Sequence, residues 1–291
     1  MTAERCADAC ARRGDPVSAS APPVHRWVLV EQPGPWGRDA LLESRLPREV
    51  ALSVAAQARE AGARVLLVRR PGRDVEVPRR RWALVDSAPG AELVRWSEFT
   101  DPAELTDLGL DRPRGTPSAD PVYLVCAHGR HDTCCALRGR PVAAAFAALR
   151  PAQTWECSHV GGDRFAGNVV VLPHGLYYGR ITPAEVPRLV RAHEAGLVVP
   201  EHLRGRSSVP AAAQAAQHFA RERLGERAVD ALAPLEVHRT GSEQWRVVLD
   251  GVGGAPVRVT VRAVFEHSDT PLTCSATTNA AIRSFELVGL G

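Results

Sequence analysis

The sequence predicts an α/β chain of two units followed by a smaller extension. Three observations predict it. The 291 residues exceed the roughly 150 of a single domain. Strand and helix patterns alternate in the same order on either side of a Pro, Gly, Arg and Asp segment at 110–120. No apolar run approaches the roughly 18 residues of a membrane span, and the mix of hydrophobic and charged residues is that of an ordinary globular protein.

The first 25 residues read as a flexible N-terminal arm, with Ser, Ala and Pro dominating 17–23. Residues 1–15 are polar and lack the apolar stretch of a secretory signal, so a reducing cytoplasm is expected. The first unit spans 26–110. Residues 26–31 read as a strand, 33–37 as a turn, and 48–61 as a helix with apolar residues at helical spacing. Strands are expected at 64–69, 81–85 and 92–96, and a short helix at 102–108.

The second unit spans 121–200. Its first strand is 121–126, followed by a loop at 127–138 and an alanine-rich helix at 140–149 with Pro141 in its first turn. A strand at 154–157 comes next, then a hairpin of 168–172 with 176–181. Thr182 is a good N-cap, with Pro183 just inside it, for a helix to about 195. Both units therefore read strand, helix, strand, strand pair, helix. That is the order of a thioredoxin-like fold and suggests a duplication without sequence repeats. Residues 201–291 read as a helical and β extension, with a helix at 210–224 and strands at 235–239, 245–249 and 257–264.

The formal charge is +3, and all 36 basic residues are arginine. The runs at 69–73 and 79–81 lack the interleaved aromatics of a nucleic-acid surface and read as solvated loops, so no nucleic-acid or membrane partner is expected. Seven cysteines in a reducing compartment point to ligands or catalysts more than to disulfides. Four of them lie between 126 and 157.

Cys126 ends a strand, and Cys134 and Cys135 follow in its loop; Cys157 and His159 leave the next strand ahead of Gly161 and Gly162. In a thioredoxin-like unit both segments lie at one end of the sheet, so two donor pairs converge. Soft thiolates with imidazole suit zinc or iron-sulfur centres and not magnesium or calcium. The eight residues between Cys126 and Cys135 are wider than the usual spacing of structural zinc ligands.

Cys126-Ala-His-Gly, three more residues and the cysteine pair, followed by Ser158-His-Val-Gly-Gly-Asp-Arg-Phe-Ala166, resemble the sucrase/ferredoxin-like family. Residues 31–37, Glu-Gln-Pro-Gly-Pro-Trp-Gly, resemble its N-terminal part. The resemblance implies a thioredoxin-like ferredoxin domain. It also implies a 2Fe-2S cluster on two cysteines and two histidines four residues apart. Carried over, these fall on Cys126, Cys135 and His159, whereas the second histidine position is Asp163. Thiolate suits cluster iron better than carboxylate does, so Cys157 is the expected fourth ligand and Asp163 the alternative.

The expected function is one-electron transfer with a redox partner protein. A thiol-disulfide enzyme using Cys134 and Cys135 and a zinc-stabilised binding module are the alternatives. Arg164, Arg180 and the Gly161 and Gly162 amides are candidates for hydrogen bonds to cluster sulfurs. His128, His131 and His174 read as solvated and Cys134 as a bystander. Cys6 and Cys10 read as thiols of the arm, Cys274 as simple packing, and Trp36 as the anchor of its own turn. No carboxylate pair is placed for glycosidic cleavage, and no glycine-rich dinucleotide fingerprint follows a strand.

Overall fold

The computed structural model describes residues 4–72, 78–112 and 114–291; the first three residues of the arm, Arg73 of the first arginine run and one position of the 110–120 segment lie outside these. The chain runs α1 (Cys6–Arg13), β1 (Arg26–Glu31), α2 (Arg48–Glu60), β2 (Ala63–Arg69), β3 (Arg80–Asp86), β4 (Leu93–Phe99) and β5 (Thr116–Ser118). It continues with β6 (Val122–Cys126), α3 (Thr133–Leu149), β7 (Thr154–Cys157), β8 (Val169–Leu172), β9 (Leu176–Tyr178), α4 (Val186–Glu194) and β10 (Leu203–Arg206). The extension holds α5 (Ala211–Leu224), β11 (Pro234–Arg239), β12 (Gln244–Leu249), β13 (Val257–His267) and β14 (Ala281–Leu290).

The fold is α/β and thioredoxin-like, with a β-rich C-terminal sheet. One ten-stranded sheet runs β10-β9-β8-β6-β7-β2-β1-β3-β4-β5. Its two halves repeat one pattern. In each, a parallel pair (β1 with β2, β6 with β7) is joined through a helix, and the first strand of that pair takes an antiparallel neighbour that continues into a further antiparallel strand. The halves meet where β2 pairs antiparallel with β7, at Val68 with Cys157 and Arg69 with Glu156. The two units predicted from the sequence therefore share one sheet.

Side chains alternate across a strand, so one face of this sheet carries Trp27, Leu29, Leu66, Val68, Leu124, Cys126, Trp155 and Cys157 in a core that spans both halves. The other face is covered by α2 in the first half and by α3 and α4 in the second. α5 packs its alanine side against the separate sheet β11-β12-β13-β14.

Four expectations are corrected. The arm is not free along its length: α1 folds onto the second half, with Cys6 and Cys10 buried. α3 begins at Thr133 rather than 140, because Asp132 accepts a hydrogen bond from the Cys134 amide at 2.8 Å and caps it there. Pro141 thus sits inside the helix, and Cys134 and Cys135 lie in its first turn. Arg69 and Arg70 are not loop residues facing water. Arg69 meets Glu156 at 2.8 Å, while Arg70 reaches the Pro151, Ala152 and Thr154 carbonyls and lies 3.5 Å over the Trp155 ring. No helix among the described residues is long and apolar enough to cross a membrane.

Candidate metal centre

The donors gather where β6, α3 and the loop after β7 meet. β6 is buried throughout, with Leu124 and Cys126 on one face and Tyr123 and Val125 on the other. The Cys126 amide donates to the Asn168 carbonyl at 3.0 Å, and the Ala127 amide to the Cys157 carbonyl at 3.1 Å, which fixes the strand's exit between β7 and β8. α3 comes within reach of that exit because residue 139 is glycine: a Cβ there would stand 1.9 Å from the Cys126 carbonyl oxygen. This close approach carries Cys135, one helical turn earlier, towards Cys126.

The loop after β7 is held by the first half of the sheet. Ser158 exchanges two hydrogen bonds with the Leu67 backbone, at 2.8 and 3.1 Å. Arg64 donates to the carbonyls of His159 at 2.8 Å and Val160 at 3.2 Å. Gly162 has φ 80°, a left-handed conformation that glycine adopts without steric cost, and a Cβ there would meet the Arg204 guanidinium at 2.6 Å. A short 3-10 turn, Asp163–Phe165, then aims Asp163 inward.

One donor atom each from Cys126, Cys135 and His159 lies within 4.8 Å of the others. Asp163 closes the group: its Oδ1 is 3.2 Å from the Cys135 sulfur and 3.0 Å from His159 Nδ1. Both cysteines are 1% exposed. The hydrogen bond from Cys135 holds the Cys126 thiol well below its ordinary pKa against the opposing effect of burial, with His159 helping. The same hydrogen bond with Cys126, followed by burial, pushes the Cys135 thiol up. Burial disfavours the His159 imidazolium, yet Asp163 and Cys126 overcome it and raise the group to about 9. Asp163 is lowered although burial acts in the other direction, because His159 faces it.

Cys157 does not join this set. It is the register partner of Cys126 and lies with Cys126 and Cys135 in the core shared by both halves, but its sulfur is not among the donor atoms that converge with His159. Burial, followed by the nearby Cys126 charge, keeps its thiol well above the ordinary range. Arg164 and Arg180 do not face the donors either. Arg164 stands 3.7 Å from Asp15, and Arg180 donates to Cys10 and to the Asp15 carbonyl, so both hold the N-terminal segment.

Three residues matter more here than their sequence context suggests. His131 stacks on His159 with centroids 3.7 Å apart and places Nε2 3.8 Å from Asp163. His128 is buried, accepts from the His159 amide at 3.3 Å and meets the Gly37 carbonyl at 2.6 Å, so it joins the donor loop to the first half. Trp36 bonds to Gln32 in its own turn, as predicted, and also packs edge-on against His128. Arg204 is the third: it bridges Ser20, the Gly161 carbonyl and Asn168 from within the core. The exposed edges of His131 and His159 line a cleft of about 220 Å³ with Arg38, Asp39, Leu41 and Arg64.

Residues 17–205 match the sucrase/ferredoxin-like family, which is more than half of the chain. The chain belongs to that family. A 97-residue stretch is 30% identical to altered inheritance of mitochondria protein 32 of Meyerozyma guilliermondii, covering 30% of this chain and 34% of that protein. The Candida glabrata protein of the same name is 27% identical over 101 residues, covering 30% of this chain and 32% of its own. The matches thus span about a third of the length of these curated relatives. Among solved structures, a variant of the thioredoxin-like 2Fe-2S ferredoxin from Aquifex aeolicus is similar, at 23% identity and a TM-score of 0.25, covering 29% of this chain and 97% of that one.

Proposed function

We propose that this chain holds a 2Fe-2S cluster on Cys126, Cys135, His159 and Asp163 and serves as a one-electron carrier for a partner protein. The observation that carries the reading is the convergence of two buried thiols and an imidazole from three separate segments, with Asp163 in contact with two of them. The donors suit such a cluster: thiolate and imidazole are soft enough for cluster iron, and Cys126 is already poised as thiolate. His159 Nδ1 is buried and, although 3.0 Å from Asp163 Oδ1, lacks an in-line hydrogen bond. That leaves the nitrogen open to a metal.

When bound, the cluster supplies a one-electron couple. The chain's own residues set its surroundings. Cys126 and Cys135 lie out of reach of water. His159 and His131, with side chains 21% and 33% exposed, lead from the buried donors to the cleft, which is where a partner would dock. Even one imidazole raises the reduction potential relative to all-cysteine ligation. Asp163 replaces Cys157 as the preferred fourth donor because it touches Cys135 and His159, whereas Cys157 does not fall within the converging donor group.

The test is anaerobic purification with visible absorption and iron and acid-labile sulfide analysis of the wild type and three variants. The reading expects two irons and two sulfides per chain, retained in Cys157→Ser and lost in Asp163→Ala. Asp163→His, which restores a second imidazole, should keep the cluster and raise its potential. Retention in Asp163→Ala with loss in Cys157→Ser would return the fourth position to Cys157. A colourless protein that takes up no iron on reconstitution would overturn the reading.

A further inference from the structure

A second group of donors lies apart from the first. Cys6 of α1, Cys134 of α3 and Cys274 of the loop between β13 and β14 come from segments more than a hundred residues apart. Their sulfurs form a triangle with sides of 3.4 Å (Cys134 to Cys274), 3.5 Å (Cys6 to Cys274) and 3.7 Å (Cys6 to Cys134). Asp132 stands over this triangle with its oxygens 3.7 and 3.8 Å from the Cys6 sulfur. One donor atom from each of the four residues lies within 4.8 Å of all the others.

At these separations the thiols are free, since the sulfurs of a disulfide stand about 2.05 Å apart. They match the edges of a tetrahedron around one ion. With metal-sulfur bonds of about 2.3 Å, sulfurs at tetrahedral angles lie about 3.8 Å apart, and a carboxylate oxygen at about 2.0 Å from the ion lies about 3.5 Å from each sulfur. The carboxylate is also held in place. Its Oδ1 accepts from the Cys134 amide at 2.8 Å and its Oδ2 from the Cys274 amide at 2.6 Å, so one side chain fixes the backbone of two of the three cysteines. Hydrogen-bonded carboxylates of this kind orient a metal shell. Cys134 lies in the first turn of a 17-residue helix, where the aligned peptide dipoles favour thiolate. Cys6, Cys134 and Asp132 are at most 3% exposed, while Cys274 is exposed, which gives an ion a path in from solvent.

We propose that Cys6, Cys134, Cys274 and Asp132 bind one structural zinc ion, separate from the cluster site. Three thiolates and one oxygen form a closed, soft and strongly anionic set that suits zinc. Binding forms three S–Zn bonds: Cys6 and Cys274 each give up an S–H proton to solvent, as does Cys134 in whatever fraction is still protonated; no electron is transferred. The ion ties α1 and the C-terminal sheet to the first turn of α3, one residue from Cys135. It is therefore a clamp that holds both ends of the chain against the cluster half.

The test measures zinc and iron together in the full-length chain, purified anaerobically. One zinc per chain is expected in the wild type and in Cys126→Ser, which loses iron. Zinc is expected to be lost in Cys274→Ser and Cys6→Ser, with iron retained. Cys274 is exposed, so its replacement by serine leaves the core intact. Cobalt added to zinc-depleted Cys126→Ser should give the intense visible bands of tetrahedral thiolate-bound cobalt, and these should vanish when Cys274→Ser is added. Four outcomes would overturn the site: wild type without zinc and without the cobalt-thiolate bands, zinc unaffected by Cys274→Ser, iron falling in place of zinc in that variant, or a Cys134–Cys274 disulfide found by mass spectrometry in the anaerobic protein.

Discussion

Replacing Gly139 by alanine should damage the cluster site while improving local helix propensity. Alanine in a helix interior is favoured over glycine by about 1 kcal/mol, so propensity alone predicts a gain. The packing predicts the reverse. The new Cβ would stand 1.9 Å from the Cys126 carbonyl oxygen and 3.0 Å from its carbon. Relief to an ordinary contact of about 3.5 Å requires α3 and the end of β6 to part by about 1.5 Å. Metal sites tolerate errors of about 0.2 Å in ligand distance, so this shift removes Cys135 from a shared centre with Cys126. Overpacking of this kind costs about 1–3 kcal/mol, which leaves a net loss of up to about 2 kcal/mol after the gain in propensity. Urea unfolding gives the stability, and iron content with visible absorption gives the occupancy. A Gly139→Ala chain that is more stable than wild type and retains its full iron would refute the reasoning.

Arg204→Met should cost about 3–5 kcal/mol by chemical denaturation, because it strands the Ser20, Gly161 and Asn168 acceptors in the core; Arg204→Lys should recover only part, since lysine lacks the planar fork. A loss below about 1 kcal/mol in the methionine variant would contradict the bridging role. His193 is pushed down to about 4 by burial and by His174 beside it. Between about pH 6.5 and 4 the unfolded chain therefore holds the extra proton and stability falls as pH falls, by about 2 kcal/mol after allowance for partial exposure. His193→Gln should flatten that slope, and equal slopes in the two proteins would disprove it. His128→Phe keeps the ring against Trp36 but removes both nitrogen contacts to the Gly37 carbonyl and the His159 amide. It should lower iron retention without loss of the fold, as read by far-UV circular dichroism alongside iron analysis.

Much of the fold was legible because its elements carry local signals. β1, β2 and β7 are short apolar runs, α2 has helical apolar spacing, and Thr182 stands at the N-cap expected from the sequence, where the structure adds a capping box with Glu185. The pairing of β2 with β7 was not legible, since two halves can share an edge or pack separately with the same local patterns. β14 was missed because its residues alternate weakly and much of the strand is exposed. The sequence pattern starts α3 seven residues late because Pro141 suits a first helical turn, whereas Asp132 supplies the cap. At the proposed cluster site, Cys126, Cys135 and His159 follow from the resemblance of their motifs to the sucrase/ferredoxin-like family. The preference for Asp163 over Cys157 rests on contacts with Cys135 and His159 across the fold, and sequence distance carries no such information. His131 and the Cys6, Cys134 and Cys274 group likewise become visible only after chain segments distant in sequence are brought together.

The central claim is a cluster with mixed cysteine and histidine ligation. Its most direct test is EPR of the dithionite-reduced protein, with electron-nuclear double resonance on nitrogen. The account predicts a rhombic signal from a reduced 2Fe-2S centre, with a strongly coupled imidazole nitrogen that disappears in His159→Cys while the cluster remains. A reduced protein with no such signal, or a signal whose nitrogen coupling survives the loss of His159, would contradict it.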